Sequence, residues 1–114
     1  MANNLPALDS AFHALADPTR RAVLARLAKG PAAVGELARP LSIGLPTLLK
    51  HLKVLEHGGL IATEKAGRVR VCHARPERLR VAESWLQEQR AVWESRTDRL
   101  ADYVENALAK DSSR

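Results

Sequence analysis

Residues 42–59 read SIGLPTLLKHLKVLEHGG, and this stretch decides the fold. It opens on a turn that brings Pro46 to the start of a helix, where proline is favoured, and Gly58-Gly59 ends that helix. Four leucines at helical spacing are predicted to face the core, namely Leu45, Leu48, Leu52 and Leu55. The outer face is then expected to carry Pro46, Thr47, Lys50, His51, Lys53 and His57.

Shorter helices are predicted before this stretch. Asp17-Pro18 is a favoured helix start and Gly30-Pro31 is a stop, so a helix is expected over residues 18–29. One or two turns, ended by Pro40, are indicated by Val34, Leu37 and Ala38. Two short helices joined by a tight turn form a helix-turn-helix, in which the second helix enters a DNA major groove.

After Gly59 the spacing of the hydrophobic residues changes from the helical period to the alternation of a strand, which predicts a small hairpin. Two strands, residues 60–65 and 68–73, are expected around Ala66-Gly67, with Val69 and Val71 sharing one face. Its charges fit either an edge hairpin protected from aggregation or a wing beside the DNA backbone. In the second case the contacting side chains are Lys65, Arg68 and Arg70.

The length and the charge of the chain limit the classes of function that it can have. A chain of 114 residues, 46% hydrophobic and 27% charged, is one ordinary globular domain with no room for a separate catalytic one. Its net charge of +5 is concentrated, because residues 45–80 carry eight basic and three acidic side chains while residues 81–114 carry five and seven. This pattern is typical of a nucleic-acid-binding segment joined to an association element. The alternative is a basic surface that is simply solvated.

Cysteine usage and the apolar runs indicate a cytoplasmic protein. Cys72 is the single cysteine, so neither an intrachain disulfide nor a cysteine-rich zinc site is expected. The apolar runs are too short to span a bilayer, and Met1-Ala2-Asn3-Asn4 lacks the features of a signal peptide. No membrane partner is therefore predicted.

The terminal segments are predicted to be helices that dimerise. Residues 77–109 would form a helix about 50 Å long, more than the small domain can cover, so a second subunit is the economical partner. A shorter amphipathic helix over residues 5–15, carrying Leu5 and Leu15, is expected to contribute as well. Trp85 and Trp93 could instead line an effector pocket. The predicted interface residues are Leu8, Phe12, Trp85, Leu86, Trp93, Leu100, Tyr103, Val104 and Leu108.

The sequence also resembles the ArsR family of bacterial winged-helix repressors. The resemblance covers roughly residues 10–105 and rests on residues 15–21, 34–38, 45–46, 50–55, 59–61 and 67–68, which read LADPTRR, VGELA, LP, KHLKVL, GLI and GR. It implies a homodimer that binds an operator near its promoter and is released by an inducer, with no enzymatic activity.

Three departures from the family pattern bear on the site. The family often has serine where Leu49 stands, and aromatic residues where Val71 and Cys72 stand. Its metal-sensing members carry a Cys-x-Cys element at the place of residues 33–39, which read AVGELAR, and no histidine follows His73. We therefore expect neither a metal nor a cofactor. Release could then involve a small molecule between the dimer helices, Cys72 chemistry, or no ligand.

The leading hypothesis is a mainly α, winged helix-turn-helix homodimer over residues 1–114 that represses transcription from a palindromic operator in double-stranded DNA. No nucleophile, acid-base pair or cofactor loop supports an enzyme. The alternative is a winged-helix module that docks on a protein partner. The residues predicted to contact DNA are Thr47, Lys50 and His51 in the groove, Lys53, Lys65, Arg68 and Arg70 at phosphates or the minor groove, and Arg20 and Arg21 at the backbone.

Overall fold

The structure, a computed structural model, describes residues 5–112, and side chains from residue 6 to residue 111. The expectations for Met1–Asn4 and for the Leu5 side chain lie outside this part. In chain order the elements are α1 (Leu5–Leu15), α2 (Pro18–Leu27), β1 (Ala32–Ala33), α3 (Val34–Leu41), α4 (Leu45–His57), β2 (Ile61–Ala66), β3 (Val69–Ala74) and α5 (Glu77–Ser112). The predicted class, mostly helical with a small hairpin, is confirmed.

Helices α2 and α3 start where the sequence predicts, but each ends at a different residue from the one predicted. The Asp17 carboxylate caps α2 by accepting the Arg20 backbone N–H at 3.0 Å. This helix ends at Leu27 instead of residue 29. Proline did not end α3, which runs one residue further, to Leu41, before Ser42 takes a left-handed φ of 55°. The turn between α3 and α4 is therefore set by Ser42.

A third strand joins the predicted hairpin. The sheet order is β1-β3-β2, and β1 pairs antiparallel with β3 through Ala32 opposite Cys72. The hairpin turn lies at Gly67-Arg68, one residue later than predicted, because Ala66 pairs with Val69. Gly67 has a φ of +66°, which suits the first central position of a two-residue hairpin turn. Arg68 is consequently at the hairpin tip.

The core corrects one predicted burial, that of Leu45. Its most buried large side chains are Val23, Leu48, Leu55, Leu60, Ile61 and Cys72. Leu45, predicted to be buried, is 50% exposed, because it lies at the first turn of α4, before that helix meets the core. Val69 is 49% exposed, whereas Cys72 is the buried residue of β3. Only the C-terminal half of β3, which includes Cys72 and Ala74, lies over the core.

The chain divides into two compact units, one through Ala82 and one from Glu83 onwards. Helix α5 has 36 residues, a length of about 54 Å at 1.5 Å per residue. Within the second unit large apolar side chains are exposed, namely Trp85, Leu86, Val92, Trp93, Leu100, Tyr103, Val104 and Leu108. No helix among residues 5–112 is both long and apolar enough to cross a lipid bilayer.

Candidate nucleic-acid interface

Helix α4 presents a polar face because its apolar residues follow one stripe. Gly44 caps the helix and Pro46 occupies its first turn. Leu48, Leu52 and Leu55 are buried and anchor the helix to the core. The opposite side is exposed and carries three of the residues predicted to contact DNA, Thr47, Lys50 and Lys53.

The hairpin lies beside α4 and carries the other predicted cations. Lys65, Arg68 and Arg70 are all exposed. The Arg70 guanidinium donates a 3.0 Å hydrogen bond to the Thr63 hydroxyl, across the two strands. A cleft of about 430 Å³ separates helix from hairpin, and Lys50, Lys53 and Arg70 are among its lining residues. The structure thus brings the cations of two elements together on one surface.

Arg20 and Arg21 donate hydrogen bonds to backbone carbonyl oxygens within the chain. Arg20 donates to the Ala14 and His13 carbonyl oxygens at 2.8 and 2.9 Å, and Arg21 donates to the Leu15 carbonyl oxygen at 2.8 Å. The last carbonyls of a helix have no partner within the helix, and cations are favourable there. The two guanidinium groups therefore cap α1, a role that no pattern in the sequence indicated.

His51 is turned towards α2. Its Nδ1 lies 3.2 Å from Arg20 Nη1 and 3.8 Å from an Asp17 carboxylate oxygen, and its side chain is 20% exposed. Arginine has no acceptor, so the shorter contact requires the Nδ1 lone pair of a neutral ring. In this state His51 accepts a hydrogen bond from Arg20 and joins α4 to α2, which leaves little of the ring for a DNA base.

The N-cap at Asp17 gives a first prediction. The hydrogen bond from the Arg20 backbone N–H lowers the pKa of Asp17 below its usual value, so the carboxylate stabilises the fold above that value. This contribution is lost as the pH falls through the folded pKa, below about pH 4. Asp17→Ala should lower Tm by roughly 3–6 °C at pH 6, and the difference from wild type should shrink below about pH 4. Circular dichroism melts across pH measure both.

Asp9→Ala is the matched control, because Asp9 is an exposed acidic residue on α1. It should leave Tm within about 1 °C of wild type at pH 6. A Tm loss in Asp17→Ala that stays constant down to pH 2 would contradict an ionised N-cap.

Cys72 is fully buried in β3, opposite Thr63 of β2. Burial raises the pKa of its thiol, with a further contribution from Glu56. Since the thiolate is the reactive form, these surroundings are typical of an inert, core-packed cysteine. Among the described residues, no three histidine, cysteine, aspartate or glutamate side chains gather to hold a metal ion.

The predicted dimer residues fall into two groups. Leu8 is 7% exposed within the protomer and Phe12 is partly buried, so α1 has little apolar surface left for a partner. The predicted residues of α5 are 40–73% exposed. Leu86, Trp93 and Leu100 recur every seven residues and therefore share one side of the helix.

Sequence reasoning missed three residues beside the predicted surface. Arg39 of α3 and the exposed Leu49 of α4 line a second cavity with Leu45, against the hairpin. Leu49 lies about 90° around the helix from the buried stripe, and this position was a usable indication of exposure. Nothing local indicated that Arg39 lies near Arg68, because the two residues are far apart in the chain.

Comparison with known proteins identifies this arrangement. A family model described as a helix-turn-helix domain matches residues 15–64. The chain is 52% identical over 68 residues to the HTH-type transcriptional regulator Rv2034 of Mycobacterium tuberculosis, covering 60% of this chain and 64% of that protein. It is 32% identical over 60 residues to the transcriptional repressor SdpR of Bacillus subtilis, covering 53% and 67%. The match to Rv2034 thus spans slightly less than two thirds of that regulator.

Solved structures agree with the sequence relatives. The crystal structure of the ArsR family transcriptional regulator RHA00566 matches with a TM-score of 0.75 and 52% identity, over 79% of this chain and 93% of that one. The homodimeric winged helix-turn-helix DNA-binding domain Mb0332 of Mycobacterium bovis, described as a possible ArsR-family transcriptional regulator, matches with a TM-score of 0.64 and 28% identity, over 82% and 85%. The chain belongs to the ArsR family of winged helix-turn-helix transcriptional regulators.

Proposed function

We propose that this regulator is a homodimeric repressor that binds a palindromic operator through α4 and the hairpin. The observation that carries the proposal is the shared cationic surface of these two elements, with Lys50 and Lys53 across a cleft from Arg70. Of the ion pairs between described residues, none uses Lys50, Lys53 or Arg68. Such charges are available to DNA phosphates, whose neutralisation releases counterions.

We propose a different contact for each part of this surface. Thr47 and Lys50 lie on the exposed face of α4 and are proposed to contact base edges in the major groove. Lys53, Lys65, Arg68 and Arg70 are proposed to contact phosphates or the adjacent minor groove. We propose that Arg20 and His51 hold α1, α2 and α4 together beneath this surface, since their polar atoms already have partners within the chain.

The dimer is proposed to form through α5. Its exposed apolar side chains, such as Trp93 and Leu100, would be buried by a second copy. A homodimeric neighbour and a repressor among the relatives support this reading. Two α4 helices related by a dyad would read half-sites about 34 Å apart, which is one turn of DNA.

Release is proposed to depend on a non-metal signal, with no enzymatic step. The single cysteine is buried, so a thiolate metal site of the kind used by metal-sensing relatives is not available at the surface. A small molecule that binds one state of the dimer better than the other would shift the population away from DNA. A regulator of chromosomal operators acts in the cytoplasm, which is where we place it.

The test is fluorescence anisotropy with the purified protein and two duplexes, the DNA directly upstream of its own gene and a scrambled sequence, over a salt titration. We expect submicromolar binding to the first duplex only, with a steep dependence on salt. Equal weak binding to both duplexes would mean that the operator lies elsewhere or that an effector is missing. An absence of binding at low salt would overturn it and favour docking on a protein partner.

A further inference from the structure

Two leucines of α4 are exposed on the side of the helix that faces the hairpin. Leu45 is 50% exposed and Leu49 is 42% exposed, although both lie on the helix that the proposed function places against DNA. Val69 of β3 is 49% exposed nearby. Single exposed apolar residues are ordinary on protein surfaces. Three that converge on one cavity beside the proposed DNA surface require a specific account.

The cavity combines an apolar floor with cations. Its volume is about 540 Å³, and Leu45, Leu49 and Val69 line it together with Ala33 and Val34. Three arginines, Arg39, Arg68 and Arg70, also line it, and they outnumber its one carboxylate, Glu36, which is paired with Arg26 at 3.7 Å. Arg39 and Arg68 are exposed and join none of the ion pairs among the described residues. The occupant that this chemistry favours is therefore polyanionic and also carries a small apolar group.

Double-stranded DNA has both features. Its phosphates match the arginines, and the major groove exposes one apolar group, the 5-methyl group of thymine. Leucine cannot donate or accept a hydrogen bond, so Leu49 cannot read a base through the polar contacts that serine would make. Its contribution at this position is apolar contact, for which thymine is the only matching base.

We propose that Leu49, supported by Leu45, selects T·A pairs in each half-site by packing against the thymine methyl group. This inference rests on the proposed function, because it deepens the role of the same surface. Lys50, the next residue along α4, is exposed and supplies the polar contact to a neighbouring base. Leu49 is thus a specificity-determining residue, whereas the arginines contribute affinity for any sequence.

The experiment removes the methyl group alone. A tight duplex is first selected from a random pool with the wild-type protein, and each thymine is then replaced in turn by deoxyuridine. We expect one or two positions in each half-site to be sensitive, with binding weakened about 4-fold for one half-site and about 15-fold when both are changed. In Leu49→Ala the thymine and deoxyuridine duplexes should bind within about 1.5-fold of each other.

Leu79→Ala is the matched control. Leu79 is 39% exposed at the start of α5 and does not line the cavity, so this variant should keep the full response to deoxyuridine. Leu45→Ala should reduce the response partially. Since Leu49 is exposed, Leu49→Ala is expected to keep the wild-type Tm, which a thermal melt checks.

The outcomes separate this inference from the function on which it rests. If selection yields no preferred duplex, the proposed function fails, and thymine readout fails with it. If a preferred duplex is found but deoxyuridine has no effect, or has the same effect in Leu49→Ala as in wild type, DNA recognition stands and thymine readout is overturned. In that case the apolar cavity serves another occupant, such as a protein partner.

Discussion

Replacing Trp93 by glutamate should convert the dimer into a monomer at micromolar concentration. Trp93 is 66% exposed, and Leu86 and Leu100 lie one heptad before and after it on the same side of α5. In a symmetric interface the substitution acts twice, removing two large apolar surfaces and introducing two carboxylates. We expect the dimer to weaken by at least about 100-fold. Sedimentation velocity over a concentration series measures this change.

Ser95→Glu is the control for the added charge. Ser95 is exposed, and a residue two positions away on a helix points about 200° from Trp93, close to the opposite side. This variant should remain dimeric. If Trp93→Glu also remained a dimer of wild-type affinity, the subunit interface would not include this stripe of α5.

Loss of the dimer should also weaken DNA binding. A dimer that occupies one half-site holds its second recognition helix beside the other, so the second contact is effectively intramolecular. A monomer loses this advantage, and its affinity for a palindromic duplex should fall by about 100-fold or more. The same protein should bind a single half-site about as well as a wild-type protomer does, because α4 and the hairpin are unchanged.

The sequence predicts the local elements well because their determinants are local. Asp17-Pro18 and Gly58-Gly59 mark helix ends through backbone geometry that neighbouring residues alone decide. Strand β1 was missed, since two alanines give no periodicity and the strand exists only through its pairing with β3. Pairing between distant segments is a property of the folded chain.

The candidate site was predictable in its location and less so in the roles of its residues. The exposed position of Lys50 followed from helical spacing, and the hairpin pattern predicted Arg68 at one residue's distance from its place, in a strand instead of the turn. Arg20 looked equally available in the sequence, yet its guanidinium donates to the carbonyls of His13 and Ala14 and lies beside His51. For Leu45 the prediction was wrong in the opposite way, since it expected burial and the side chain is exposed. Helical spacing gives the direction of a side chain but not how far the core extends along the helix.

Removing both arginines of the hairpin should weaken binding to every DNA sequence. A dimer presents four of these guanidinium groups, two from Arg68 and two from Arg70, and both residues are exposed. If each neutralises one phosphate, Arg68→Ala/Arg70→Ala should reduce the slope of log affinity against log salt by up to about 3–4. At about 0.1 M salt we expect the affinity to fall by at least about 100-fold. Anisotropy titrations at four or more salt concentrations give both quantities.

The control must remove the same charge from elsewhere. Lys29→Ala/Arg80→Ala does so, because both residues are exposed and neither lines the clefts between α4 and the hairpin. A general dependence on net charge would weaken binding equally in the two double variants, whereas contact by the hairpin predicts a large loss only for Arg68 and Arg70. The preference for the selected duplex over a scrambled one should survive in both variants, because phosphates carry no sequence information. A wild-type salt slope in Arg68→Ala/Arg70→Ala would exclude the hairpin from the DNA contact and leave α4 as the sole reader.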